Sequence, residues 1–245
     1  MIKSLSIIFP VFNEELRLKS SFNHILDFLK KKKKFKIQIF FVDDGSSDNS
    51  YNLIYEFIKN YKNSKKKQKI KFQIIKSKKN LGKGSALKLG VRQARYDWIL
   101  TADIDMSVSL FQICNWLEKK LINKKIFVYF GSRKNKQSVV DSNFFRQILG
   151  NLMSFLTFII LNIGIQDTQC GYKLYKKSLA KSVFYKLKDY GFNHDLEIIL
   201  LLKKKHIAIK ELPVKWKHKK NSRLNILIDP IKMLIGIFLM KFRNF

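Results

Sequence analysis

Short apolar runs alternate with amphipathic segments along the first 130 residues of this 245-residue chain. Apolar side chains recur at the spacing of one helix face within residues 14–31, at Leu18, Phe22, Ile25, Leu26 and Leu29, which predicts an amphipathic helix. Similar patterns predict further helices around residues 50–61, 82–95 and 110–121. Short, predominantly apolar runs predict buried strands at residues 5–9, 37–42, 70–75, 98–102 and 126–130. This alternation indicates an α/β fold with a doubly wound, mostly parallel sheet and helices on both faces.

Acidic side chains follow the predicted strands at the positions where those strands end. They are Glu14, Asp43, Asp44, Asp103 and Asp105. Because the carboxyl ends of parallel strands share one edge, and ligands of open α/β sheets bind outside that edge, we expect these acids to line a site. Helix capping is the alternative, and it suits Asp48 and one of the Asp43–Asp44 pair better than an Asp-x-Asp pair after a buried strand.

Asp103 and Asp105 are two residues apart at a strand end, so both carboxylates can turn toward one cation. Oxygen-only ligands suit Mg²⁺ or Mn²⁺, which commonly bridge one or two carboxylates to a diphosphate. Gly82-Lys83-Gly84 lacks the upstream glycine of a Walker loop. As a dinucleotide-binding fingerprint it has Leu87 where the third glycine belongs, so an oxidoreductase remains an alternative. A turn into a helix that faces phosphate is the other interpretation.

The composition excludes a disordered chain and points to an anionic partner. Hydrophobic residues make up 46%, and 49 Lys+Arg against 18 Asp+Glu give a formal net charge of +31. The excess is mostly lysine, which favours a membrane surface over specific nucleic-acid readout. Solvated lysine-rich faces, or a basic RNA- or membrane-coating protein, are the non-enzyme alternatives. Two cysteines fit a reducing compartment.

Two apolar segments raise the question of a membrane, although the opening residues do not form a signal peptide. Residues 147–166 carry no charge, and residues 224–242 are apolar with a few interspersed charges. A single span at 147–166 would separate Arg133 from Lys217 and Arg223, which are assigned below to one site. We therefore expect an interfacial or re-entrant helical stretch at 147–166, with core burial as the alternative. Residues 224–245 are expected to form an amphipathic membrane-surface helix after a domain of residues 1–223.

The order and spacing of several motifs resemble the family 2 glycosyltransferases with the GT-A fold. The resemblance extends from residue 4 to about residue 240. One segment, Asp167-Thr-Gln-Cys-Gly-Tyr-Lys-Leu-Tyr175, is similar to that of dolichyl-phosphate β-glucosyltransferases and, more loosely, of dolichyl-phosphate mannose synthases. The motifs are Pro10 with Asn13-Glu14, Asp43-Asp44-Gly45-Ser46, Asn80 with Gly82-Lys83-Gly84, Asp103-Ile104-Asp105, Gly131-Ser132-Arg133, residues 192–197, residues 211–216 and Ser222-Arg223-Leu224.

The resemblance implies roles for individual residues of this sequence. Donor base and ribose would contact Pro10, Phe12, Glu14 and Asp44, with Asp43 as an alternate for Asp44. Phe12 stands where tyrosine is usual, so a hydroxyl contact is absent there, and Asn193-His194 replace residues that are commonly aromatic or apolar.

The remaining implied roles concern the phosphates and the metal. Asp103 and Asp105 would hold Mg²⁺ or Mn²⁺ on the donor diphosphate, with Asp105 essential to catalysis. Positive side chains would bind the donor or acceptor phosphates: Lys83, Arg133, Lys217 and Arg223 at the donor, and Arg133 and Arg146 at the acceptor phosphate.

The resemblance implies an inverting transfer of a hexose, with UDP-glucose favoured, to polyprenyl or dolichyl phosphate by an enzyme attached peripherally to the cytoplasmic face of a membrane. A lipid monophosphate is already anionic near neutral pH, since its second pKa is about 6, so no general base is required. GDP-mannose as donor, or a sugar hydroxyl as acceptor, remain alternatives. A hydroxyl acceptor would need a base, and Asp195 is the first candidate, unless it caps a helix over residues 196–205.

Overall fold

The computed structural model describes residues 2–31, 36–64, 70–141, 144–191, 193–219 and 229–242, with side chains except at 144–149 and 229–231. The strands are β1 (Ser4–Val11), β2 (Lys36–Asp43), β3 (Ile70–Lys76), β4 (Trp98–Thr101), β5 (Val128–Ser132), β6 (Val139–Asp141), β7 (Lys173–Lys176), β8 (Ile209–Pro213) and β9 (Lys215–Lys217). The helices are α1 (Glu15–Lys31), α2 (Ser50–Asn63), α3 (Lys83–Gln93), α4 (Gln112–Glu118), α5 (Phe144–Leu161), α6 (Lys177–Lys186), α7 (His194–Lys204) and α8 (Asp229–Lys241).

The central sheet has seven strands in the order β3-β2-β1-β4-β7-β5-β8. Alternate residues of β1 enter opposite cores: Ile7 and Phe9 pack on one face with α1 and α2, and Ile8 packs on the other face with α3. Strands buried on both faces read as continuous apolar runs, which is why the sequence predicted them. The predicted α/β class and the mostly parallel sheet are confirmed.

One strand departs from the parallel pattern. β7 runs antiparallel between β4 and β5, with Lys173 opposite both Thr101 and Phe130. Because β7 is reversed, its first residue lies at the edge where β4 and β5 end. The segment 167–172 that leads into β7 therefore reaches the edge occupied by Asp103.

A second, small sheet brings the distal part of the chain to the same edge. β6 pairs in parallel with β9, and Trp216 of β9 bridges Val108. The Lys217 backbone N–H donates to the Ser107 carbonyl oxygen at 2.9 Å. The loop that follows Asp105 is thereby joined to β9.

The two apolar segments form α5 and α8, which pack against each other. Met153 and Leu161 of α5 and Met233 and Ile237 of α8 are buried in the core on the α3 face of the sheet. In the described ranges, no helix combines the length and the hydropathy that crossing a membrane requires. The division at residue 223 and the interfacial placement of these helices stay predictions.

Candidate active site

Each carboxylate of the Asp-x-Asp pair has a cationic partner. Asp103 Oδ1 accepts a hydrogen bond from Lys83 Nζ at 2.5 Å, and Asp105 Oδ2 lies 3.4 Å from Arg17 Nη1. The backbone N–H of Ser107 donates to Asp105 Oδ1 at 2.9 Å. Gly171 packs directly on Asp103, since a Cβ there would lie 2.4 Å from Oδ2. The loop before β7 therefore packs on the first of the two acids.

Lys83 is surrounded by acidic groups. Burial lowers its pKa, but the negative charges of Asp103, Asp195 and Asp105 outweigh burial and raise the pKa above its ordinary value. Lys83 is the first residue of α3 and follows Gly82, whose φ of +103° is a conformation that favours glycine. The turn at Gly82 thus directs the Lys83 ammonium to the edge where β4 ends.

The two acids that follow β2 have different hydrogen-bond partners. Both Asp44 oxygens accept backbone N–H groups, from Leu81 at 3.2 Å and Gly82 at 2.7 Å. Burial raises the pKa of Asp44, and these two bonds oppose the rise. Asp43 accepts from the Ser46 N–H at 3.3 Å, while its buried Oδ2 has no hydrogen-bond partner among the described residues. Asp43, the alternate of the two, therefore keeps a free acceptor atom.

The end of β1 is joined to the acidic edge through Arg17. Its guanidinium donates to Glu14 Oε1 at 2.6 Å and also approaches Asp105. Pro10 and Phe12 are half-buried on this part of the chain. Of the residues expected at the donor base and ribose, Glu14 is thus linked through Arg17 to the Asp-x-Asp loop.

Asp195 lies in a buried charged cluster. It forms an ion pair with Lys173, whose ammonium also donates to the Thr168 carbonyl at 2.8 Å and lies 4.6 Å from the centre of the Phe130 ring. His194 Nε2 is 3.4 Å from Asp195 Oδ1. Burial raises the pKa of Asp195, but the positive charges around it outweigh burial and lower that pKa.

The helix-cap interpretation of Asp195 is wrong. α7 begins at His194, so Asp195 lies inside its first turn, and Asn193 occupies the N-cap position. The Asp195 side chain is only 9% exposed and is held by Lys173. Asp195 is therefore the ion-pair partner of Lys173, and its role as a general base stays a prediction.

Arg133 binds a carboxylate of its own chain. Its Nε and Nη2 donate to the two Asp167 oxygens at 2.7 and 2.8 Å, and its backbone N–H donates to Oδ2 at 2.8 Å. Burial raises the pKa of Asp167, but these bonds lower it further than burial raises it. The Asp167 backbone N–H in turn donates to Glu211 Oε1 at 2.9 Å. Arg133 therefore orders the loop before β7, and its contact with a phosphate stays a prediction.

The chain matches the family model described as Glycosyl transferase family 2 over residues 6–184. The chain belongs to this family. The family 2 chain is 32% identical over 252 residues to a dolichyl-phosphate beta-glucosyltransferase of Dictyostelium discoideum, a match that covers 98% of this chain and 74% of that protein. It is 31% identical over 233 residues to a dolichyl-phosphate beta-glucosyltransferase of Homo sapiens, covering 91% and 70%.

Solved structures show the fold of this glycosyltransferase. Glucosyl-3-phosphoglycerate synthase from Mycobacterium tuberculosis, in complex with Mn²⁺, UDP and glucosyl-3-phosphoglycerate, superposes with a TM-score of 0.71 at 14% identity, covering 98% of this chain and 80% of that one. Mannosyl-3-phosphoglycerate synthase from Rubrobacter xylanophilus gives 0.64 at 14% identity, covering 98% and 72%. The predicted GT-A fold is confirmed.

The chemistry of the acidic pair suits a divalent ion that also binds a substrate. No cluster of three or more His, Cys, Asp or Glu side chains forms a metal site in the described ranges. Mg²⁺ and Mn²⁺ need no such cluster, since they are commonly held by one or two carboxylates together with waters and phosphate oxygens. The Asp103 and Asp105 side chains are 38% and 18% exposed, and their role as metal ligands stays a prediction.

Two predicted basic residues cannot be located at the site. Arg223 lies outside the described residues, and only the backbone of Arg146, in α5, lies within them. Lys217 is described, and its backbone joins the loop after Asp105. The donor and acceptor roles of all three stay predictions.

Sequence reasoning missed two members of the cluster. Arg17 is three residues after Glu14, a helical spacing that could have indicated the pair. Lys173 lies within the segment 167–175, but a lysine in a short strand gives no local sign that it is buried.

Proposed function

We propose that this family 2 glycosyltransferase moves glucose from UDP-glucose onto the phosphate of dolichyl or polyprenyl phosphate, with inversion at the anomeric carbon. The observation that carries the proposal is the similarity to dolichyl-phosphate beta-glucosyltransferases, which extends over more than nine-tenths of the chain. The geometry of the acidic edge supports a nucleotide diphosphate as donor.

The donor half of the proposal uses the residues gathered at the sheet edge. Asp103 and Asp105 would hold Mg²⁺ or Mn²⁺, which as a Lewis acid stabilises the charge of the leaving diphosphate. Lys217 and Arg223 add fixed positive charge for the same purpose, and Lys83 is a further positive side chain proposed to bind the donor. The uridine would contact Pro10, Phe12, Glu14, Asp43 and Asp44. Within that set, the free Oδ2 of Asp43 is the acceptor best suited to a donor N–H or hydroxyl.

The acceptor half needs no general base. A phosphate oxygen of the lipid attacks the anomeric carbon from the face opposite the diphosphate, the new C–O bond forms as the bond to the diphosphate breaks, and UDP departs with the electron pair. The attacking oxygen is already anionic near neutral pH. Asp195, buried and paired with Lys173, is not required to accept a proton. Arg133 and Arg146 are the proposed contacts of the acceptor phosphate.

We propose that the α5–α8 pair lies against the cytoplasmic face of a membrane and brings the active site close to the lipid acceptor. Large apolar side chains of these helices are exposed, as is Phe242 directly after α8: Leu152, Phe155, Phe158, Ile159, Ile235, Phe238 and Leu239. An exposed apolar surface on a lysine-rich chain fits an interface with anionic lipids, where each lysine near the membrane contributes about 1 kcal/mol. The +31 charge supports the same placement.

The test is transfer from radiolabelled UDP-glucose or GDP-mannose to dolichyl phosphate in phospholipid vesicles, followed by organic extraction. Label from UDP-glucose is expected in the lipid phase and is expected to vanish in Asp103→Asn. Asp27→Asn, which changes an exposed acid of α1 that forms an ion pair with Lys30, is the matched control. Lipid labelled only from GDP-mannose would identify a mannosyltransferase, and label only in water-soluble glycan would contradict the lipid acceptor.

A further inference from the structure

The metal-binding candidates are already neutralised by the protein. Lys83 binds Asp103 and Arg17 approaches Asp105, so two positive charges face two negative ones. A divalent ion that enters this site must therefore compete with cations of the chain itself. The two cations differ in how readily they can leave.

Arg17 has a second, closer partner, whereas Lys83 is held at the site by Asp103. The Arg17 guanidinium is bonded to Glu14 at 2.6 Å and lies 3.4 Å from Asp105. Lys83 makes its 2.5 Å bond to Asp103 itself. Displacing the existing cation from the acidic pair thus means mainly displacing Lys83.

The Lys83–Asp103 pair is exchangeable because it is partly open to solvent. The two side chains are 37% and 38% exposed, whereas Lys173 and Asp195 are 2% and 9% exposed. Ion pairs in contact with water contribute little, and their members can separate without leaving a buried charge alone. Lys83 is also the first residue of an 11-residue helix, an end at which the helix dipole favours an anion.

We propose that Lys83 is an exchangeable counter-cation of the metal site. It holds Asp103 while the site is empty, leaves Asp103 to the divalent ion, and then binds the diphosphate of the donor. The divalent ion frees Lys83 from Asp103, so that Lys83 can bind the diphosphate, and the diphosphate draws Lys83 away from Asp103, so that the ion can bind. Binding of the metal and binding of the nucleotide therefore favour each other, and such coupling is reciprocal. This inference rests on the proposed metal-dependent nucleotide-sugar site and does not depend on the acceptor.

The test measures binding of Mn²⁺ and UDP by calorimetry, without lipid or sugar, in the full chain. Lys83→Met keeps an unbranched side chain of similar length, one atom shorter, and removes its charge. Mn²⁺ alone is expected to bind roughly two- to fivefold more tightly than to the unmodified chain. UDP in the presence of Mn²⁺ is expected to bind roughly tenfold more weakly or worse, since a charge-assisted contact is lost. Lys78→Met, an exposed lysine shortly before α3, controls for the general effect of lowering the positive charge.

Tighter Mn²⁺ binding together with weaker UDP binding in Lys83→Met is the result that supports the proposal. Unchanged or weaker Mn²⁺ binding by Lys83→Met overturns the inference, as does an equal gain in Lys78→Met. Asp103→Asn separates this result from the proposed function. If Asp103→Asn abolishes Mn²⁺ binding and Lys83→Met changes nothing, only the counter-cation role fails, whereas Mn²⁺ binding that survives Asp103→Asn removes both. Far-ultraviolet circular dichroism confirms that each variant is folded.

Discussion

Asp195→Asn is expected to destabilise the protein strongly, because it leaves Lys173 charged and unpaired in the core. Lys173 and Asp195 are 2% and 9% exposed, so the variant leaves the Lys173 ammonium without its counter-charge, with neutral acceptors such as the Thr168 carbonyl in its place. Removing one member of a buried ion pair costs about 3–5 kcal/mol. This loss is a large part of the about 5–15 kcal/mol by which folded proteins are typically stable. For a chain of this size it corresponds to a fall of roughly 6–20 °C in Tm.

The assay is a double-mutant cycle on urea unfolding with Asp195→Asn, Lys173→Met and the combined variant. The combined variant is expected to be more stable than Asp195→Asn alone, because the unpaired ammonium is gone, with a coupling energy of about 2 kcal/mol or more. Additive losses in the cycle would refute the ion-pair argument. A stable Asp195→Asn protein with abolished glucosyl transfer would instead assign the carboxylate to the reaction.

Three further outcomes are expected. Asp105→Ala abolishes transfer and leaves the circular dichroism spectrum unchanged; near-normal turnover would reject its metal role. Burial, reinforced by the positive charge of Lys219, lowers the pKa of His24, whose Nε2 accepts a backbone N–H at 3.2 Å. The contribution of His24 to the free energy of unfolding should therefore be complete above about pH 6.5, and it should fall as the pH drops toward the lowered folded-state pKa. Urea midpoints across this range should vary less with pH in His24→Gln, and an unchanged slope would contradict the assignment. Phe155→Ser with Phe238→Ser should weaken flotation with anionic vesicles, while Tyr185→Ser, an exposed aromatic on α6, should not; equal effects would argue against the α5–α8 surface.

Local pattern predicted the elements whose burial is symmetric. β1, β2, β4 and β5 are buried along most of their length, the edge strand β3 keeps apolar residues at Ile70, Phe72 and Ile74, and the helices between them carry a clear apolar face, so period and run length were sufficient. The reversed β7 was not predictable in this way. It has four residues with a lysine at each end, and its place between β4 and β5 depends on pairing with residues 43 to 78 positions away.

The site was predictable where it depends on topology and not where it depends on side-chain partners. The acids at the ends of β2 and β4 lie at one edge of the sheet because both strands pair in parallel with β1. Which cation meets which acid is decided by long-range geometry. Lys83 reaches Asp103 across 20 positions, and Lys173 reaches Asp195 across 22, and neither spacing has a local pattern.

Exposure divides the charged pairs of this edge into those that hold the site and those that can respond to a ligand. The Lys173–Asp195 pair and the bidentate Arg133–Asp167 pair each contain a carboxylate less than a tenth exposed, so separating them leaves a charge in the core. The Lys83–Asp103 pair opens to water, so it can exchange partners at little cost. A rigid arrangement of buried pairs around one exchangeable pair is what a metal-dependent transferase needs, since the diphosphate must find positive charge in place on arrival and must still be able to leave with UDP.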